Sequence, residues 1–553
     1  MGWNAWNTFQ CNVNEDLIKG AADAIASNGM KDAGYSYVVM DDCWTQGYYE
    51  DGKADDGTRK YRDENGRLIV NTKRFPNGIK PIADYVHSKG LKFGIYSSPS
   101  NWTCAAYPGS LGHEEIDAQT FVEWGADYLK YDLCGGQQQS FAKMRAALDK
   151  FSPNKYIYLA GNPQLRPSSV TDPYLNILDS ATFAFDVAPN WASITSHIDQ
   201  IAPFAGYSVP GYTNYADMLE VGVGTQLTAD QQRAHFGMWA MLAGPLTAGN
   251  DIRSQSKDTL KILTNKDIIA IDQDKLQLQA MMLAGYSEQN SKITVWQRPL
   301  AESGVRAVLV LNRGSAAATV PLKFADFGLS GSVHVNSLWD SVDLGAKTDK
   351  IDVNVPATGS VVLRLRGEEA KLAGTVDLTS QPWIYAAETA KQKDCTGQDI
   401  YYCWKSDPQQ ARSGLLPRIV VKNTQIVAVD SKQVKSSSTA SSLQIGTEIF
   451  DHGFIGSTYS QIVYRPNGRC TRFKGLTGVD NQSVAVGAGT VKLEVWDDSK
   501  PLYSTFDMKK GDKATPFDID VTGVQTLRII LRGSESGLSA DIASPVLECT
   551  SGA

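Results

Sequence analysis

The stretch Tyr128-Leu129-Lys130-Tyr131-Asp132-Leu133-Cys134 follows Phe121-Val122-Glu123-Trp124-Gly125-Ala126-Asp127. Together they read as a helix end, a short turn and a strand that runs up to a carboxylate. In a barrel of alternating strands and helices, residues at the C-terminal ends of the parallel strands face the active site. Asp132 sits where such a strand ends, and Lys130, two residues earlier, lies on the same side of it. A cation beside a carboxylate keeps it ionised, as a nucleophile must be. The competing reading is a buried strand that ends in an ordinary loop aspartate.

Outward from this stretch, residues 1–277 alternate strands and helices. Gly2 to Trp6 is strand-like. Asn14 then caps a helix with Glu15 and Asp16 in its first turn, where the helix dipole favours acids. Tyr35 to Met40 is a second strand, ending in Asp41-Asp42-Cys43-Trp44, and Leu91 to Tyr96 is a third after a helix from Ile79 to Lys89. Asp132 ends the fourth, Tyr156 to Ala160 forms the fifth, and a sixth lies within Ile177 to Phe185, close to Asp186. The seventh falls just before Asp217. Thr228 and Gln231 form a capping box for a helix through Met241, and Leu246 to Asp251 holds the eighth strand. This order favours a (β/α)8 TIM barrel over an open doubly wound sheet, and no Gly-x-Gly-x-x-Gly follows the first strand.

After Gln279 the texture changes. Ile293 to Trp296, Val305 to Leu311 and Val361 to Leu363 predict an antiparallel β domain over 278–367, a sandwich closed by the polar linker Gly367 to Lys371. Residues 373–553 are again β-rich and predict a second β-sandwich, in which Ser436 to Ser442 reads as a mobile loop.

The net charge of −7, without a basic run, argues against nucleic acid and against an anionic membrane surface. No apolar run approaches the ~18 residues of a membrane span. No signal peptide is seen, and Met1-Gly2-Trp3 starts almost inside a strand, as in a processed or trimmed chain. Eight cysteines can be paired in chain order: Cys11 with Cys43, Cys104 with Cys134, Cys395 with Cys403 and Cys470 with Cys549. With no Cys-x-x-Cys and scattered histidines, disulfides are a better reading than zinc, although some could be buried thiols. Disulfides and the sequons at Asn101 and Asn481 point to an oxidising, extracellular setting. No cofactor or metal is expected.

Asp41, Asp42, Asp132, Asp186 and Asp217 all fall at or just past expected strand ends, beside Trp3, Trp6, Trp44 and Tyr96. Any one of these acids could simply cap the following helix. Five converging carboxylates repel one another unless they bind hydroxyls or do acid/base work. With aromatic rings for sugar C–H faces, they make a carbohydrate pocket.

Residues 1–366 resemble glycoside hydrolase family 27, the α-galactosidase family. The matching motifs are Gly2-Trp3-Asn4-x-Trp6, Met40-Asp41-Asp42-Cys43-Trp44, Phe75-Pro76-Asn77-Gly78, Gly94-Ile95-Tyr96, Tyr128 to Asp132, Asn250-Asp251-Ile252-Arg253 and Asp267 to Asp274. The resemblance implies hydrolysis of terminal α-galactosyl residues with retention, through a covalent glycosyl-enzyme. It makes Asp132 the nucleophile and Asp186, in Phe183-Ala184-Phe185-Asp186, the acid/base, with the carboxyls about 5–5.5 Å apart and the Asp186 pKa raised partly by Asp132. It assigns Asp41 and Asp42 to O4 and O6, Lys130 to a ring hydroxyl and to support of Asp132, and Trp6, Tyr96, Cys104 and Asp217 to the pocket. The Cys11–Cys43 and Cys104–Cys134 pairs also match the family.

The sequence departs from the family on the O2/O3 side. Ala160-Gly161-Asn162, before Pro163, replaces Cys-Glu-Trp, and Thr182 replaces an Arg. Smaller neutral groups there leave α-N-acetylgalactosaminidase, β-L-arabinopyranosidase and isomalto-dextranase activity as alternatives, beside a lectin-like protein without turnover. Phe450 to Gly456 and Phe473 to Asp480 resemble the module type named for novel putative carbohydrate binding. Asp451-His452-Gly453 within it reads as a tight turn beside a strand.

Overall fold

The computed structural model describes residues 1–553 apart from 51–52, 136–138, 163–176, 183, 284–285, 287–289, 291, 382, 389–417, 422–423, 430–431, 440–442, 482, 484–488, 535–537 and 551–553. Pro163, Phe183, Cys395 and Cys403 lie outside the described residues.

Eight parallel strands make the first sheet: β1 (Gly2–Asn4), β2 (Tyr37–Val39), β3 (Lys92–Ser97), β4 (Tyr128–Asp132), β5 (Tyr158–Asn162), β6 (Ser180–Ala181), β7 (Thr213–Asn214) and β8 (Thr247–Ala248). They pair in the order β8-β1-β2-β3-β4-β5-β6-β7. The sheet closes on itself just past β7, where Leu219 bridges Ala248 in parallel. The helices between the strands are α1 (Glu15–Ser27), α2 (Lys80–Ser88), α3 (Glu114–Glu123), α4 (Gln139–Phe151), α5 (Trp191–Ile201) and α6 (Ala229–Leu242). Asn14 caps α1 through a bond from Leu17 N, and Thr228 and Gln231 form the capping box of α6.

Several boundaries differ from the expectation. β5 is shifted by two residues, because its register with β4 starts at Tyr128 and Tyr158, leaving Tyr156 65% exposed. The sixth strand shrinks to Ser180–Ala181, and Asp186 lies beyond it on a loop.

The antiparallel domain is a six-stranded sheet facing a two-stranded one. Its central strand, Val305–Asn312, is buried along its whole length, because both faces are covered. Val305, Ala307, Leu309 and Leu311 join the barrel core, while Val308 and Val310 join the core between the two sheets. α6 is buried all round from Ala234 to Leu242, as befits a helix held between two layers. Gly237 permits the close approach: a Cβ there would stand 3.2 Å from both Leu309 Cδ1 and Val362 Cγ2.

The C-terminal region forms two further large antiparallel sheets around a core of its own, beside the hairpin of Leu443–Ile445 and Glu448–Phe450. Lys432–Thr439 is a strand, paired with Thr424–Val429, where the Ser- and Thr-rich composition suggested a loop; 440–442 lie outside the described residues. Cross-strand partners, which composition does not reveal, decide such a segment. His452 opens the strand His452–Ser457. This region is docked firmly on the barrel. Gln461 Nε2 donates to Ala205 O and Ser208 O, and buried Arg528 donates to Leu276 O and Ser208 O. The disulfides Cys11–Cys43, Cys104–Cys134 and Cys470–Cys549 form as paired above. Among the described residues, no helix is long and apolar enough to cross a membrane.

Candidate active site

The site is built where β1 to β4 end. Asn4, the last residue of β1, is buried and donates to Asp41 Oδ2 at 2.7 Å. The same oxygen accepts from Lys130 Nζ at 2.9 Å. Asp42, next in the chain, is held from three sides. Its oxygens accept from Cys43 N at 2.7 Å and Ala105 N at 3.1 Å, and the Thr103 hydroxyl bonds it as well. Burial pushes the Asp42 carboxyl up to about 6 against those hydrogen bonds.

Asp132 ends β4 and is 7% exposed. Its Oδ2 accepts from Tyr96 OH at 3.1 Å and stands 3.8 Å from Cys104 Sγ, in the Cys104–Cys134 disulfide. Its Oδ1 is buried without a hydrogen-bond partner among the described residues. Burial pushes the carboxyl up to about 7; Lys130 opposes this, while Asp41 and Asp186 add to it.

Lys130 does not pair with Asp132 as the spacing suggested. Strand alternation places both on one face, but the ammonium turns across the barrel to Asp41, and its effect on Asp132 is through space only. Two sulfurs and a carboxylate meet at Cys104, Asp132 and Cys134, yet the sulfurs are bonded to each other and cannot act as thiolate ligands.

Asp186 is exposed at the rim. Desolvation by the surrounding walls, then Asp217 and Asp41, raises its carboxyl above the ordinary aspartate value. The direction is as expected, with Asp217 as the leading neighbour in place of Asp132. Asp217 itself accepts from Val187 N and Met218 N, both at 2.8 Å, so it pins the backbone just after Asp186. It holds a left-handed φ of 70°, and its carbonyl accepts from Trp239 Nε1 at 2.7 Å. Such strain in a non-glycine residue survives only where surrounding bonds over-determine it. Trp6 is half-buried and begins a helical turn, its N–H bonded to Asn4 Oδ1 at 2.8 Å. Trp191 opens α5.

The O2/O3 side follows from strand register. Asp132 pairs with Asn162 and Tyr131 with Gly161. Asn162 thus shares the face of Asp132, and its Oδ1 is buried without a hydrogen-bond partner among the described residues. Gly161 faces outward, where a Cβ would lie 2.4 Å from Leu178 Cδ1. Asn162, rather than Gly161, is therefore the group at this end of the pocket. Asn4 and Asn162 both stand in stretches noted for their motifs, without a role; strand alternation was the signal that could have assigned Asn162.

Glu220, three residues past Asp217, is buried and accepts from Asn7 Nδ2. Burial and then Asp217 push its carboxyl up to about 8. Of the two sequon asparagines, Asn101 is exposed, whereas Asn481 is half-buried and donates its amide to Gly446 O.

Residues 1–274 match the family described as alpha galactosidase A, and 290–365 match the alpha galactosidase C-terminal beta sandwich domain. Residues 407–545 match the NPCBM/NEW2 domain. The chain is similar to alpha-galactosidase 2 of Arabidopsis thaliana, 42% identical over 347 residues, which are 62% of this chain and 82% of that protein. It is 38% identical over 397 residues to alpha-galactosidase A of Cellvibrio japonicus, 66% of this chain and 91% of the other. The crystal structure of alpha-galactosidase I from Mortierella vinacea superposes with a TM-score of 0.60 at 32% identity, covering 67% of this chain and 97% of that one.

Proposed function

This chain belongs to the α-galactosidase family, glycoside hydrolase family 27, and from that premise we infer that it hydrolyses terminal α-D-galactosyl residues of oligo- or polysaccharides with retention. The observation that carries the reading is the state of Asp132. One oxygen is held by Tyr96, and the other is buried and unpaired at the end of an inward-facing strand. A carboxylate so placed meets its missing partner in the anomeric carbon.

In the first step Asp132 attacks C1, and the C1–oxygen bond breaks as Asp186 gives its proton to the leaving oxygen. Asp186 then takes a proton from water, which attacks C1 and releases Asp132. Asp41 and Asp42 accept hydrogen bonds from O4 and O6. Lys130 and Asn4 hold Asp41 in place for this. Two acids raised by desolvation suit the division of labour: one must be protonated at the start, and the other is relieved of its cost when a cationic transition state forms beside it.

Three disulfides and exposed Asn101 support secretion. We take 1–277, 278–367 and 373–553 as the domains, the last with a carbohydrate-binding origin.

The test is product analysis with added azide. Asp132→Ala with azide should give the β-galactosyl azide, and Asp186→Ala the α-galactosyl azide. Normal turnover by Asp132→Asn would remove the mechanism. Aryl α-D-galactoside, α-D-N-acetylgalactosaminide and β-L-arabinopyranoside, assayed side by side, settle the sugar.

A further inference from the structure

The segment that touches Asp42 and Asp132 also carries an exposed tryptophan. Ala105 N bonds Asp42 at 3.1 Å, and Cys104 Sγ lies 3.8 Å from Asp132 Oδ2. Trp102, two residues before Cys104, is 39% exposed. Its backbone is not loose: it bridges Pro108, and Thr103 N donates to Tyr107 O at 2.7 Å.

The loop after β2 comes to meet it. Tyr48 N donates to Ala106 O at 3.0 Å, and the Tyr48 ring lies 6.0 Å from that of Trp102, with Tyr61 at 5.1 Å on the same indole. Both contacts are edge-on, at 81° and 88°. Tyr49, 58% exposed, extends the cluster. Three strands further round the barrel, Phe185 is 52% exposed immediately before Asp186. Large exposed aromatic rings cost hydration free energy unless something covers them.

We propose that Trp102, with Tyr49 joined to it through Tyr48, is a platform for the sugar ring that follows the galactosyl unit, and so a residue that selects the leaving group. This rests on the galactosidase reading and adds a residue that contacts the leaving sugar. A pyranose presents C–H bonds on one face and hydroxyls on its edge. The indole covers the former, and the latter stay in water at the rim.

The test compares Trp102→Ala with the native enzyme on two substrates, an α-galactosylated manno-oligosaccharide and α-D-galactosyl fluoride, which has no sugar to leave. The protein is made without N-glycosylation, so that no glycan on Asn101 covers Trp102. The oligosaccharide should lose at least tenfold more kcat/KM than the fluoride, chiefly through KM, and Trp102→Tyr should recover most of that loss. An unchanged ratio of the two would overturn the platform and leave the galactosidase reading standing. Native enzyme that hydrolyses neither substrate overturns both.

Discussion

The Lys130 ammonium lies 2.9 Å from Asp41 Oδ2, across the barrel from its own strand, and not against Asp132 two residues away. Among the described residues Asp132, the proposed nucleophile, therefore has no cation against it, and Lys130 serves Asp41. Asn4 bonds the same oxygen at 2.7 Å, so Asp41 is fixed from two strands.

Removing that anchor should weaken sugar binding first. Lys130→Met leaves Asp41 buried beside Asp42 without its counter-charge and without that donor, so the carboxylate is no longer held in place for a substrate hydroxyl. We expect KM for an aryl galactoside to rise about tenfold or more, matching the loss of a charged hydrogen bond, with a smaller change in kcat. A fall in kcat at constant KM would instead place the action of Lys130 on Asp132.

Stability should fall as pH rises across the acid range. Asp42, Asp132 and Glu220 are raised in the folded protein to about 6, 7 and 8. Their unfolded values are about 4, so between these limits the folded state binds more protons than the unfolded one. Their favourable share is complete below pH 4 or so and is lost as pH passes through the folded values. Asp132→Asn removes one such group. The variant should gain in melting temperature over the native protein at pH 8, by several degrees at roughly 1.4 kcal/mol per pKa unit. The gain should shrink at pH 4.5. An equal difference at both pH values would contradict the placement of Asp132 in a dry site.

Local chemistry explains what was legible beforehand. Asn14 and the Thr228–Gln231 box are caps made within four residues, and Asp132 follows a strand long enough to declare itself. β6, β7 and β8 have two residues each and exist because neighbouring strands hold them. Nothing in their own composition marks them. The pairing of Lys130 with Asp41 spans 89 residues, and Arg528 reaches Ser208 across 320. Such contacts depend on closure of the barrel and docking of the domains, which a linear pattern does not contain. The same holds for Asn162, whose face is set by its register with Asp132.

Asn162 should govern the C2 end of the sugar. Its Oδ1 is buried and unpaired among the described residues, so a substrate hydroxyl is expected to complete it. Asn162→Ala should lower kcat/KM for the α-galactoside about tenfold, the cost of one buried hydrogen bond. The extra room should favour the N-acetylgalactosaminide in relative terms. If the two substrates fall in parallel, Asn162 does not contact the C2 substituent.

A buried charge cluster ties the antiparallel domain to the C-terminal region. Glu369 lies on the segment leaving the antiparallel domain, with its side chain only 5% exposed. Arg306 Nη1, from that domain's central strand, stands 2.5 Å from Oε1, and Arg465 Nε, from the C-terminal region, 3.6 Å from Oε2. Burial pushes this carboxyl up, but the two arginines more than offset it and hold it below the ordinary range. Arg465 also donates to Ala301 O at 2.6 Å and Leu300 O at 2.8 Å, so it cannot swing away to water without opening the interface. Glu369→Gln keeps the shape and leaves two buried guanidinium groups facing each other, a change that costs about 3–5 kcal/mol in comparable buried pairs. Urea titration should show the C-terminal region unfolding earlier in the variant, and added salt should not restore it, because the arginines are out of reach of counter-ions. A shift worth less than about 1 kcal/mol, the range of an exposed ion pair, would mean that Gln461, Arg528 and the apolar contact with the barrel hold the region in place unaided.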